Sequence, residues 1–305
     1  MVAISMSKVS LAKILVALVA ISGLLWFLEL DLIYIAAQEL DPLLICCVFA
    51  LMLVGLAIQT EKWHNLLTHC APDSQRIEAL YSLLVGFGFG LFTPGRVGEL
   101  GRGLVLRGDR STIALFTLID RVVSMGMTLL AGSAASVWIW SEDGWFVFGA
   151  ICGSLVLYAI VVLIAVRVRT PIEKLTQFQS VLVRVPVRTW LHLCLWSLLF
   201  NIVFFGQFYL LVGGIYGWSQ QVALAIPALF AIKSILPVSF LDIGVREGAA
   251  VWIYSQLGYD PLPAFNASLL IFAFNVALPG GIGWILWSRR DTERGLGYER
   301  RKGLI

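Results

Sequence analysis

Thr93-Pro94-Gly95-Arg96-Val97-Gly98-Glu99-Leu100-Gly101-Arg102 interrupts a stretch that is otherwise apolar from Leu80 to Leu106. Proline lacks an N–H and glycine tolerates any backbone angle, so Pro94-Gly95 predicts a reversal rather than a continuing helix. The chain before Leu80 carries Lys62 and Arg76, and the chain after Leu106 carries Arg107 and Arg110. Basic residues mark the cytoplasmic side of a membrane. Both ends of the stretch therefore point to that side, and residues 80–107 read as a re-entrant helical hairpin with Pro94, Gly95 and Gly98 at its tip; the alternative, for this stretch and for the second one below, is an ordinary span kinked by Pro and Gly. A second broken stretch, 222–257, is interrupted at Pro237 and again at Gly244-Val245-Arg246-Glu247-Gly248. Its flanks are uncharged near Gly217 and acidic at Asp260, so it reads as a hairpin that dips in from the opposite side.

The rest of the chain supplies the membrane context. Of 305 residues, 59% are hydrophobic and 13% charged, against about 25% charged in a soluble domain. That composition excludes an ordinary soluble globule, and the apolar content excludes disorder. Uninterrupted apolar runs cover Leu11 to Leu28, Leu43 to Ile58, Thr112 to Trp140, Trp145 to Val166, Trp190 to Val212 and Leu262 to Trp287. Each approaches the roughly 20 residues a helix needs to cross the hydrocarbon layer. The predicted fold is an all-α polytopic membrane protein. It has about six full spans plus two re-entrant hairpins, in one membrane-embedded domain over 1–305. An odd number of full spans separates the hairpins, which makes the second an inverted copy of the first. Paired broken segments in two halves mark the substrate region of many transporters.

Charge sets the sidedness. The segment between Leu28 and Leu43 holds Glu29, Asp31, Glu39 and Asp41 without Lys or Arg, whereas Arg167 to Arg188 and the tail after Arg289 are basic. The N- and C-termini are expected on the cytoplasmic side of an inner membrane. Lys8 and Lys13 precede the first apolar run, which has no clear cleavage site and reads as an uncleaved span. Most of the 11 Trp, among them Trp63 and Trp287, lie near span ends and read as interfacial anchors. Cys46, Cys47, Cys152 and Cys194 fall in apolar runs and read as small buried hydrophobes.

Charges inside the apolar layer are the candidate site. They are Arg96, Glu99 and Arg102 in the first hairpin, Asp120 and Arg121 in the next span, and Lys233, Asp242, Arg246 and Glu247 in the second hairpin. Each costs about 2.5–3.5 kcal/mol at the bilayer centre, so they should pair or face a watery cavity. Glu99 lies three residues from both Arg96 and Arg102, on one helical face. Arg fits phosphate with a bidentate fork, and helix ends at a broken tip add N–H donors. Substrate contact is the reading for Arg96, Arg102, Arg121 and Arg246. Glu99 and Glu247 lean towards holding those arginines, and a proton-coupling carboxylate stays open. Asn201, Gln207, Asn266 and Asn275 read as inter-helix hydrogen bonders.

Other chemistries find no motif. The chain has no G-x-x-x-x-G-K-[ST], no H-E-x-x-H and no G-x-S-x-G. Gly86-Phe87-Gly88-Phe89-Gly90 lies within an apolar segment and reads as a close-packing surface rather than a nucleotide loop. His64, His69 and Cys70 lack a further ligand pair, so no metal is expected. Neither a cofactor nor a nucleic-acid partner is expected, and self-association stays open because no G-x-x-x-G face decides it.

Taken together, the 93–102 segment, Asp120-Arg121, Leu236-Pro237, Gly244 to Gly248 and Leu278-Pro279-Gly280-Gly281-Ile282-Gly283 resemble the signatures of the lysylphosphatidylglycerol synthase transmembrane family. The resemblance implies a stand-alone flippase-like domain without the synthase domain. Its partner would be a phospholipid or a polyprenyl-phosphate-linked lipid. The expected function is transbilayer movement of an anionic or phosphate-containing headgroup, with no catalysis by the chain. Two rivals remain at this stage: a membrane enzyme acting on polyprenyl-phosphate or a lipid-linked sugar, and a non-transporting partner in envelope assembly.

Overall fold

In a computed structural model, the chain is described at residues 41–91, 93–140, 185–235 and 244–301, with isolated positions 149 and 153. The expected spans at Leu11–Leu28 and Trp145–Val166, the tip residue Pro237, and Asp242 lie outside the described residues. So do the sides on which the termini emerge.

Eight α-helices make up the described fold: α1 (Pro42–Leu67), α2 (Arg76–Leu91), α3 (Arg110–Ile139), α4 (Val187–Tyr216), α5 (Gln220–Ile235), α6 (Val245–Gln256), α7 (Pro261–Phe272) and α8 (Leu278–Arg301). A 3₁₀ arm, Pro94–Leu104, follows α2. A π-turn, Ala273–Ala277, joins α7 to α8. Pro279 cannot donate to the helical ladder, which accounts for a bulge at that place. Among the described residues there is no strand. Among the described residues, four helices are long and apolar enough to cross a membrane: Pro42–Leu67, Arg110–Ile139, Val187–Tyr216 and the continuous Pro261–Arg289. They coincide with four of the six apolar runs.

The helix starts follow local chemistry. Asp41 before Pro42 and Asp260 before Pro261 each accept an N–H of the first turn, as acidic N-caps do. Asp109 caps α3 by accepting from the N–H and hydroxyl groups of Ser111 and Thr112. Those bonds hold its carboxyl well below the usual carboxylate range. The cap is therefore intact above the ordinary Asp pKa of about 3.9 and fades as pH falls through the lower folded value. Asp109→Ala is expected to fray the first turn of α3, read as faster amide exchange at Ser111 and Thr112.

The outside of the bundle is apolar and its inside is partly polar, the reverse of a soluble fold. Leu191, Leu195, Leu198 and Ile202 form an exposed stripe on α4. The other side of the same helix buries Ser197, Asn201 and Gln207. Thr128 donates to Asn201 at 3.2 Å, and Gln207 donates to the Val48 carbonyl at 2.8 Å. These are the inter-helix bonds expected of such residues. Asn275 instead donates within its own helix, to the Ile271 carbonyl.

Packing is reciprocal between the halves. α2 and the 3₁₀ arm lie antiparallel: Arg102 comes back to Gly86, and Glu99 to Gly90. α6 runs back along α5, so that the Tyr254 hydroxyl donates to the Val222 carbonyl. α2 then packs along α8, while α5 packs along α3. Small residues permit both approaches. Gly283 and Gly280 of α8 rest against Leu84 and Leu91 of α2, and Gly132 of α3 rests against Pro227 and Ala231 of α5.

Three readings from sequence change. Trp63 is fully buried rather than interfacial, and donates to the Ser82 hydroxyl at 2.8 Å. Lys62 is no marker of the cytoplasmic loop, because α1 continues past the apolar run and buries it. Cys46 and Cys47 face outwards on α1 rather than inwards.

Candidate functional site

Charged groups of the first hairpin assemble into one chain with α3 and α1. Glu99, 3% exposed, is its centre. One carboxylate oxygen meets Arg96 at 2.8 Å and Arg121 at 2.7 Å, and the other meets Arg102 at 2.9 Å. Arg102 reaches on to Asp120 at 3.0 Å. Asp120 in turn meets the Lys62 ammonium at 2.8 Å. Lys62 also donates to Ser124 at 2.6 Å and, more weakly, to Ser197 at 3.5 Å. The sequence order thus becomes a spatial order running from Arg96 and Arg121 to Lys62.

Aromatic rings and glycines hold this chain in place. Arg102 lies over the rings of Trp63 and Phe87, and Arg96 over Phe87. All three contacts favour a cation on the ring face. The Gly86 to Gly90 run serves two surfaces. A Cβ at Gly86 would come 2.6 Å from Arg102, and one at Gly90 would come 3.0 Å from Glu99. Gly88 faces the other way, where Trp284 donates to its carbonyl at 2.7 Å. The glycines leave room for buried charges on one face and a helix on the other.

Accessibility is graded along the chain. Arg102 is 2% exposed, whereas the side chains of Arg96 and Arg121 are 17% and 31% exposed. Arg96 also holds a left-handed backbone, φ +57°. Non-glycine residues adopt that conformation at a cost, and such positions gather at functional sites. Among the described residues, four cations (Lys62, Arg96, Arg102, Arg121) meet two carboxylates (Glu99, Asp120) in this chain. Its accessible end presents two guanidinium groups.

The second hairpin builds a different arrangement. Arg246 donates to Ser268 at 2.7 Å and pairs with Glu247, whose other oxygen accepts the Gly244 N–H at 2.8 Å. Gly244 has φ +92°, a conformation suited to glycine at this helix start. The Arg246 guanidinium lies over Phe272. Both side chains are 4–5% exposed. The pair is charge-balanced and enclosed.

Across both halves, a family model described as the lysylphosphatidylglycerol synthase TM region matches residues 11–283. The chain belongs to that family. It is a multi-pass membrane protein. No curated protein and no solved structure gives a significant match.

Within this family member, the structure gathers Arg96, Glu99, Arg102, Asp120 and Arg121 and places Arg246 and Glu247 in the other cluster. Pro94, Gly95 and Gly98 lie at the α2 reversal, where a Cβ on Gly98 would fall 2.2 Å from the Phe89 carbonyl oxygen. Sequence reasoning missed Lys62, Ser124 and Ser268 as partners. Lys62 follows an apolar run and looks like its interfacial flank. A serine within a span carries no signal of its own.

Proposed function

We propose that this chain moves the headgroup of an anionic, phosphate-bearing lipid across the bilayer, with Arg96 and Arg121 as its first contacts. The observation that carries this reading is a buried charge chain whose more accessible end presents two guanidinium groups, Arg96 and Arg121, on one Glu99 oxygen. Arg forks bind phosphate in bidentate fashion. The buried members, Arg102, Asp120 and Lys62, fix the geometry of that end. Acyl chains stay in the lipid while the headgroup follows the polar interior. The chain does no bond chemistry in this reading.

The two hairpins are re-entrant and form an inverted repeat. Spacing supports this. The interval from Glu99 to Asp120 is 21 residues (99 to 120), as is that from Glu247 to its partner Ser268 (247 to 268). Glu99 to Gly132 is 33 residues (99 to 132), as is Glu247 to Gly280 (247 to 280), and both glycines contact the first helix of the opposite hairpin. The second copy replaces Asp120 by Ser268 and neutralises its arginine. This reading places the headgroup contact in the first half. The setting is an inner membrane with both termini cytoplasmic.

Reconstituted protein should move labelled phosphatidylglycerol, aminoacyl-phosphatidylglycerol or a polyprenyl-phosphate lipid between leaflets. A charge-assisted hydrogen bond contributes about 1.5–3 kcal/mol, so Arg96→Gln and Arg121→Gln should each slow movement about 10-fold or more. Parent rates in both variants would discard the site. Release of inorganic phosphate from a polyprenyl pyrophosphate, without movement, would replace the translocase by an enzyme.

A further inference from the structure

A cavity of about 280 Å³ opens between the last turns of α1 and the first turns of α4, beside Lys62 and away from Arg96 and Arg121. Its lining includes Lys62, His69, Arg188 and His192 together with the polar Asn65 and Thr189. No carboxylate lines it among the described residues. The volume is just under the lower end, about 300 Å³, of ordinary ligand sites.

The polar groups are not equally committed. The Asn65 carbonyl can only accept, so the His69 Nδ1 at 3.0 Å from it carries the proton. The neutral Nε2 then accepts from the Thr189 hydroxyl at 3.1 Å. Arg188 and His192, by contrast, have no hydrogen-bond or ion-pair partner among the described residues. α4 starts here with no side-chain cap at Pro186, and Pro186, Arg188 and Thr189 of its first turn line the cavity, which sets the positive end of the helix dipole beside it. Lys62, 3% exposed, borders the cavity. The cavity thus meets the charge chain at the end opposite its two accessible arginines.

We infer that this cavity is a second anion site, which binds a phosphate group through Arg188, His192 and the start of α4. The inference goes beyond the headgroup contact at Arg96 and Arg121 and does not require it. An arginine and an imidazole without partners among the described residues, and a lining without carboxylates, fit an anion and disfavour a cation or an apolar ligand. Trp196 lines the cavity, and the exposed Leu191 and Leu195 continue from it along α4. A lipid phosphate could sit in the cavity with its chains on that stripe. A free phosphate compound carries the same chemistry. An anion that reaches Lys62 competes with Asp120 for its ammonium, which links occupancy here to the first hairpin.

The test uses the full chain carrying Arg96→Gln and Arg121→Gln, so that the proposed headgroup site does not contribute. Two probes distinguish the source: phosphatidic acid in phosphatidylcholine nanodiscs, and inorganic phosphate followed by titration calorimetry. The expected result is binding of at least one probe, weakened about 10-fold or more when Arg188→Gln and His192→Gln are added. Lipid binding alone assigns the site to the leaflet, and phosphate binding alone assigns it to a soluble compound. Arg188 is exposed and His192 half-buried, so an unchanged circular dichroism spectrum is expected for the added variants. Binding of neither probe, or equal binding with and without Arg188→Gln and His192→Gln, overturns the inference. Either overturning result leaves the Arg96 and Arg121 reading to its own translocation assay.

Discussion

Glu99→Gln is expected to destabilise the folded chain by about 3–5 kcal/mol, the range for removing one member of a buried ion pair. The carboxylate meets three guanidinium groups within 2.9 Å. An amide keeps the shape but leaves Arg96, Arg102 and Arg121 facing one another. Arg96 and Arg121 can turn towards the accessible end. Arg102 cannot, because it is 2% exposed and held between Trp63, Phe87 and the space left by Gly86. The loss therefore concentrates on Arg102. Adding Arg102→Met to Glu99→Gln removes the buried charge that has lost one of its two carboxylates, while Asp120 keeps its Lys62 partner. That double variant should recover more than half of the lost stability, as replacement of whole buried pairs by apolar groups often does. Thermal unfolding of the three purified proteins in one detergent gives the comparison. Parent stability in Glu99→Gln would mean that water already reaches Arg102, and the graded burial of the cluster would be wrong.

What the sequence shows of this site follows the range of its interactions. Arg96, Glu99 and Arg102 lie three residues apart, and local spacing alone predicts that they meet. The spans at Leu43–Ile58, Thr112–Trp140, Trp190–Val212 and Leu262–Trp287 are legible because hydropathy acts over whole helices. Contacts between helices leave no such trace. Lys62 reads as a loop cation until α1 proves to continue through it to Leu67. Arg246 and Glu247 are adjacent, and helical directions separate adjacent side chains. They nonetheless pair at the start of α6, where Ser268 of α7 bonds to both. The left-handed backbone of Arg96 also has no sequence signal, since glycine is the residue that ordinarily announces one.

Gly283→Val and Gly132→Val should each separate a helix pair, and the two effects should mirror one another. A Cβ at Gly283 would stand 1.9 Å from the Leu84 carbonyl oxygen. One at Gly132 would stand 2.2 Å from the Ala231 Cβ and 2.5 Å from the Pro227 carbonyl oxygen. The obstacle is largely backbone, so no rotamer change relieves it and the helices must move apart. Overpacking a tight contact costs about 1–3 kcal/mol and sometimes more, and these two sites belong at the upper end. Apolar association cannot compensate, because lipid tails solvate the separated helices as well as the partner does. The consequences differ by half. Moving α2 from α8 shifts the bed of Arg102 and Glu99, so Gly283→Val should slow headgroup movement as well as lower stability. Moving α5 from α3 disturbs the second hairpin, and α3 also carries Asp120 and Arg121. Gly132→Val should therefore reach the site through α3. Alanine at Gly206, which has open space around its Cβ position, is the control and should leave both properties unchanged. Parent-like stability and movement in both valine variants would show that the close approaches are not the contacts that fix the two hairpins.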